Sequence, residues 1–243
     1  MFIIKVSATA STNSLAREWC QSNKNLSPTC IQAFDQISGR GQRGASWLSN
    51  AGENLTFSVI YPNPEVSVQT QFVLSAGVGL ALLDALNKLK IKNLKLKWPN
   101  DIMAANFKIG GILIENILNS GKIGTTIIGV GLNVNQMTFP GLPKAASMKS
   151  LSQRHFATET VLELILDHLE KFMNSLKTTS VAEILLRYEK QLFRKNKAST
   201  FELPNGNLLT GIIKGITPTG LLKVQVEDDI VETFDLKELK LLF

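Results

Sequence analysis

Two cysteines and two histidines are all that 243 residues contain of these types. With only Cys20 and Cys30, no disulfide framework holds the chain together, and such sparse usage suits a reducing compartment. The cysteines and the histidines His155 and His168 stand at none of the spacings of zinc sites. No apolar run approaches the roughly 18 residues needed to span a bilayer. The longest, around Val73–Leu83, is interrupted by Ser75, Gly77 and Gly79. Met1–Ala10 has no charged start, apolar stretch or cleavage pattern of a signal peptide. The Walker A string and the GxSxG elbow are missing, as are repeats and low-complexity segments. These absences leave a soluble, cytoplasmic protein as the expectation. At 44% hydrophobic and 19% charged residues, the composition excludes disorder and collagen-like fibres. At roughly 150 residues per domain, the length suggests one large domain, alone or with a small one.

The net charge is +6, from 26 basic and 20 acidic residues. Much of the excess sits in Lys88, Lys90, Lys92, Lys95 and Lys97, alternating with apolar residues on either side of Asn93. Period two predicts one solvated face of a strand. The other reading is a basic surface for an acidic protein or for nucleotide phosphates.

The Ser-Thr-Asn-Ser cluster at Ser11 opens a helix over Ser11–Lys24. Cys30–Ile37 reads as a strand, followed by a basic, glycine-punctuated loop, Gly39–Trp47. Asn54–Tyr61 is a second strand, and Gln71–Leu89 is a helix whose small residues fit close packing on a sheet. Leu94–Trp98, Ile109–Asn116 and Thr125–Val134 read as strands, and Glu159–Leu176 and Val181–Phe193 as amphipathic helices. Past Lys195–Lys197 come the short runs Thr200–Leu203, Leu208–Ile213, Leu221–Val226 and Ile230–Phe234, a small all-β barrel. The expected organisation is an α/β domain over residues 1–195 and a β module over 196–243. In that module Glu227, Asp228, Asp229, Glu232, Asp235 and Glu238 outweigh the lysines, which argues against phosphate or nucleic-acid binding.

Four segments look specialised for chemistry. Gly39-Arg40-Gly41-Gln42-Arg43-Gly44, with Trp47 downstream, lets the backbone approach a ligand and offers fork-shaped donors to phosphate or carboxylate. It matches G-x-G-x-x-G as a string, but no following helix gives it a dinucleotide-binding context. Lys97-Trp98-Pro99-Asn100-Asp101 puts short polar side chains at a strand end. Lys108-Ile109-Gly110-Gly111-Ile112-Leu113-Ile114-Glu115 pairs a cation with glycines that open a strand. Gly129-Val130-Gly131-Leu132-Asn133-Val134-Asn135 alternates glycine along a strand and ends in amides.

With Ser11-Thr12-Asn13 ahead of them, these segments in this order resemble biotin protein ligases of the short form, without an N-terminal DNA-binding domain. The likeness covers about residues 1–195, and the β module is similar to the family's small SH3-like domain. The resemblance implies an α/β (α+β) catalytic domain with a mixed sheet, followed by an SH3-like β-barrel. It also implies that ATP and Mg²⁺ convert biotin to biotinyl-5′-AMP, and that biotin then passes to one lysine of a biotin carboxyl carrier protein. Carried over by position, Lys108 reaches the biotin carboxylate and later the acyl-phosphate, and Arg40 belongs to a loop closing over the adenylate. Ser11, Thr12, Asn13 and Gln36 serve the neutral ureido ring, flanked by backbone at Gly39, Gly41, Gly110 and Gly111. Arg43, Asn54, Asn100 and Asn133 fall to the nucleotide, with Asn133 facing adenine, and Trp47 offers a flat face near biotin or adenine. Asp101 has two candidate roles, holding Mg²⁺ or helping to deprotonate the incoming lysine.

The loop departs from the arginine-rich family pattern at Gln42 and Ala45, which weakens the expected hold on the adenylate. Because the ligand motif begins at Ser11, a DNA-binding role is not expected. The lysine-alternating strand is expected to meet the carrier or a second subunit, in a homodimer. The rivals are a lipoate or octanoate ligase or transferase of the same fold and a non-catalytic biotin- or adenylate-binding regulator.

Overall fold

The structure, a computed structural model, describes residues 1–243 apart from the side chains of Arg43 and Asp229. The chain opens with a strand that sequence reading passed over, β1 (Phe2–Thr9), which pairs in parallel with β2 (Thr29–Gln36) across the crossover helix α1 (Thr12–Ser22). Between β2 and β5 (Leu55–Pro62) the basic loop folds back as a two-residue ladder, β3 (Gly39–Arg40) on β4 (Ser46–Trp47). Helix α2 (Phe72–Lys88) leads to β6 (Leu94–Lys97), β7 (Asp101–Ala104), β8 (Phe107–Asn119) and β9 (Lys122–Leu132). Then follow α3 (Met148–Ser152), α4 (Thr158–Ser175) and α5 (Val181–Lys190).

Seven strands form one sheet in the order β1-β2-β5-β9-β8-β7-β6. Only β1 and β2 run parallel, so the sheet is mixed. Side chains alternate across a strand, and here the two faces differ sharply. Leu55, Phe57 and Val59 of β5 and Ile128, Val130 and Leu132 of β9 join the core under α2 and α4. The opposite face carries Gly111 and Leu113 of β8 paired with Gly131 and Gly129 of β9. Helix α1 covers part of that second face through Ala16, against Ile31, Ile60 and Ile127. The glycine row beyond α1 is left open, and the cavity forms there.

Helix α2 is buried nearly all round. A Cβ on its Gly77 would strike the Phe172 ring of α4, so this glycine admits a neighbouring helix rather than the sheet. The lysine alternation is not one strand face: Lys88 ends α2, Lys90 sits in the turn with φ +61°, and only Lys95 and Lys97 belong to β6. Nor is β6 a free edge. Leu96 N donates to Gln191 O over 2.9 Å and Phe193 N to Leu96 O over 2.8 Å. That pairing also explains why α5 stops at Lys190, short of the expected Phe193.

The C-terminal residues build β10 (Ala198–Glu202), β11 (Leu208–Ile216), β12 (Leu222–Gln225), β13 (Val231–Phe234) and β14 (Lys240–Leu242). They form an antiparallel five-stranded sheet, β13-β12-β11-β10-β14. Its inner residues Phe201, Ile213, Leu222 and Val224 belong to the same buried cluster as α2 and α4. One continuous core therefore joins the two sheets.

Candidate active site

The glycine row floors a cavity of about 460 Å³, within the range that holds a small molecule. A Cβ at Gly129 would run into the Asn13 amide, and one at Gly131 into the Trp47 indole. Each glycine thus lets one side chain lie flat on the sheet, Asn13 towards one end and Trp47 in the middle. Gly129 and Gly131 are two positions apart on β9, about 7 Å at the usual rise.

At the Asn13 end the side chains that line the cavity are neutral apart from Arg40 at the rim. Ser11 opens α1 but its side chain makes no cap hydrogen bond. Thr12 donates to Gln36 Oε1 through its backbone nitrogen at 2.9 Å, with its hydroxyl 3.2 Å from the same oxygen. Ser58 Oγ, fully buried on β5, lies 2.7 Å from Thr12 Oγ1 and 2.6 Å from Asn13 Oδ1. Asn13 Nδ2 donates to Leu113 O at 3.2 Å and to Glu115 Oε2 at 2.8 Å. Both amide hydrogens of Asn13 are thereby taken, so Asn13 shapes this end while Ser11, Thr12 and Gln36 face the cavity beside it.

The other end is charged. Asp101 begins β7, with Lys108 Nζ at 2.5 Å from Oδ1 and Lys97 Nζ at 3.2 Å from Oδ2. Lys108 Nζ also stands 5.8 Å from the Trp47 ring centroid, within cation–π range. Asn100 Nδ2 donates to Ile112 O at 2.8 Å, pinning the Trp98–Asn100 turn, which contains a cis Trp98-Pro99 bond, to β8. Arg40 lies along the rim, donating from Nη2 to Ser14 Oγ at 3.0 Å. Trp47 Nε1 is buried against Gly131 with no partner among the described residues. The far wall comes from the C-terminal sheet, through Leu236, Leu239 and Leu241 among others.

Ser11, Thr12, Asn13, Gln36, Arg40, Gly41, Trp47, Asn100, Asp101, Lys108 and Gly111 all meet at this cavity. Four other expected site residues lie outside its walls. Gly39 is taken up in the ladder with Trp47. Gly110 follows the strand alternation to the other face, beside Ile102 and Leu132. Asn54 and Asn133 are buried and spend their amides on the scaffold: Val134 N donates to Asn54 Oδ1 at 3.0 Å, and Asn133 Nδ2 to Ala146 O at 3.0 Å. Arg43 lies outside the described side chains. Sequence reading missed Ser58, and gave no individual role to Lys97 and Glu115 within the segments that contain them. Ser58 had a signal, since Thr56 and Ser58 alternate with Leu55, Phe57 and Val59 and mark a polar face on that strand.

Among the described residues no three His, Cys, Asp or Glu side chains gather to hold a metal. Asp101 is the cavity's one carboxylate among the described residues, and two ammonium groups already hold it. These residues do not fit a resident Mg²⁺, which would enter with a nucleotide's phosphates. The arrangement as a whole suits a ligand with a neutral, hydrogen-bonding head and an anionic tail.

A model of the biotin/lipoate A/B protein ligase family matches residues 6–133. The biotin--[acetyl-CoA-carboxylase] ligase of Mycobacterium tuberculosis is 29% identical over 224 residues, 91% of this chain and 82% of that protein. The bifunctional ligase/repressor BirA of Escherichia coli is 26% identical over 205 residues, 84% of this chain and 63% of the relative. Among solved structures, the biotin protein ligase from Aquifex aeolicus in complex with biotin and ATP superposes with a TM-score of 0.81 at 24% identity, covering 99% of this chain and 98% of that one. The family match takes in every segment that floors the cavity and more than half of the sequence, and on that ground the chain belongs to the biotin/lipoate A/B protein ligase family.

Proposed function

We propose that this chain is a biotin protein ligase, which adenylates biotin with ATP and passes the biotinyl group to a lysine of a biotin carboxyl carrier protein. The observation that carries the reading is the two-ended cavity, neutral at Ser11, Thr12 and Gln36 and cationic at Lys97 and Lys108. The ureido ring, polar and uncharged, takes the neutral end, and Gln36 and the Ser11 and Thr12 hydroxyls supply its directional partners. The acyl chain crosses over Trp47, whose indole fills the space above Gly131, towards Lys108.

At the charged end a carboxylate must approach a triphosphate, and fixed cations offset their repulsion. Lys108 leaves Asp101 to hold the carboxylate, while Lys97 remains as the aspartate's counter-ion. A carboxylate oxygen attacks the α-phosphorus, the bond to the β-phosphate oxygen breaks, and pyrophosphate departs. Mg²⁺ accompanies the nucleotide and screens its charge. In the second half-reaction the neutral carrier amine attacks the acyl carbonyl, AMP leaves, and the amine proton passes to Asp101 or solvent. Gln42 and Ala45 face the cavity without charge, so the adenylate is held by Lys108, Arg40 and backbone groups of the loop.

In this reading residues 1–195 form the catalytic domain, and 196–243 an SH3-like module that closes the cavity's far side. The setting is cytoplasmic, in keeping with two free cysteines, and no DNA or membrane role is assigned. No described helix is long and apolar enough to cross a membrane. With β6 covered by residues 191–193, that strand no longer supports self-association.

Pyrophosphate release with ATP, Mg²⁺ and biotin, repeated with lipoate and octanoate, tests the substrate. Biotin alone should support release, and Lys108→Ala should remove most of it. Release with lipoate or octanoate instead would move the substrate to the rival within the family. Biotin binding without any release would make the chain a regulator.

A further inference from the structure

Glu115 lies on β8, on the same side of the sheet as Gly111 and Leu113, with its side chain 24% exposed. Its Oε2 accepts from Asn13 Nδ2 at 2.8 Å and lies 3.8 Å from Arg40 Nη2, while Oε1 lies 3.6 Å from Arg17 Nη2. Arg40 Nη2 also donates to Ser14 Oγ at 3.0 Å. One carboxylate thus meets three parts of the chain: helix α1 through Asn13 and Arg17, strand β8 through its own backbone, and the Gly39–Gly44 segment through Arg40. Arg40 is turned towards the neutral end of the cavity and lies across the gap between its loop and α1. Its side chain is half exposed, so the ion pair is weak and exchangeable, shifting an equilibrium by about two- to fivefold.

We propose that Glu115 is a positioning residue, which fixes the Asn13 amide on Gly129 and latches Arg40 so that the Gly39–Gly44 segment stays docked on α1 over the neutral end. The latch itself concerns the ligand-free chain, and only its effect on substrate rests on the ligase reading above.

Glu115→Gln separates the amide contact from the ion pairs, because glutamine keeps an oxygen for Asn13 but offers Arg40 and Arg17 no charge, and the Arg40→Met background isolates the Arg40 pair. In the ligand-free protein, amide hydrogen exchange over residues 39–47 should quicken about two- to fivefold, with the melting temperature unchanged. Arg40→Met should give the same increase, and the double variant no more than either single one. Unchanged exchange in both single variants, or additive effects in the double, would overturn the latch. In turnover with whichever acid supports pyrophosphate release, Glu115→Gln should raise the KM for that acid by a similar factor while kcat stays within about twofold. The rise should vanish in the Arg40→Met background, and a rise that persists there contradicts the proposal. Should no acid support release, the ligase reading fails while the exchange comparison still decides the latch.

Discussion

The indole nitrogen of Trp98 donates to the main-chain oxygen of Gly220 over 2.9 Å, inside the protein. Gly220 has φ +95°, and a Cβ there would meet the Phe72 ring of α2. The turn that carries Asn100 and Asp101 is thus bolted to the C-terminal sheet, and the wall that sheet lends the cavity is held in register with the charged end. Trp98→Phe keeps most of the packing and removes the bond. Leaving a buried carbonyl unpaired should lower stability by about 1–3 kcal/mol, measured by denaturant unfolding, and should raise the KM for ATP. A variant as stable as the parent would show that the bond does not hold the turn.

Gly131 is the place where the Trp47 indole touches the sheet. Valine suits a strand, but its side chain would drive the indole up into the cavity. Gly131→Val should fold with an unchanged circular dichroism spectrum and lose about tenfold or more of biotin-dependent pyrophosphate release. Full activity in that variant would mean that Trp47 has no fixed seat there.

Tyr188 is 2% exposed, packs edge-on to Phe72, and has a hydroxyl with no partner among the described residues. Burial pushes its pKa up, and the charge of Asp101 adds to the shift. Above about pH 10 the unfolded chain releases this proton while the folded chain keeps it. Stability therefore falls with rising pH, by up to about 1.4 kcal/mol per unit. Tyr188→Phe should gain about 1 kcal/mol at neutral pH and show a shallower alkaline loss than the parent. A destabilised variant with the same alkaline slope would mean that the hydroxyl has a partner.

Cys30 is fully buried, and burial pushes its thiol up to about 12. Cys20 is partly exposed, and burial raises its pKa against the opposing charge of Arg17. Native protein at pH 8 should alkylate at Cys20 alone, with Cys30 reacting only after denaturation. Equal labelling of both thiols by peptide mass spectrometry would contradict the packing of β2.

The alternating glycines of β9 were legible because strand alternation sets Gly129 and Gly131 on one face, where Asn13 and Trp47 need their space, whereas Gly110 turns to the other face. What sequence could not reveal was which amides the scaffold would consume. Asn54 and Asn133 look like ligand contacts in a linear motif, yet their partners come from loops far along the chain, at Val134 and Ala146. Strand β7 escaped notice because it begins on Asp101, directly after a turn and only four residues long. The lysine alternation misled because a helix end, a left-handed turn and a short strand together imitate period two. Glu115 belongs to a quoted motif, but its contact with Asn13 spans 102 positions, beyond the reach of any local pattern.

The most direct test is transfer itself. An isolated biotin carboxyl carrier domain would be incubated with the chain, ATP, Mg²⁺ and biotin, and its intact mass measured. The account predicts one biotin on one lysine, dependent on ATP and lost with Lys108→Ala. An unmodified carrier despite biotin-dependent pyrophosphate release, or a carrier that gains lipoate or octanoate but never biotin, would contradict it.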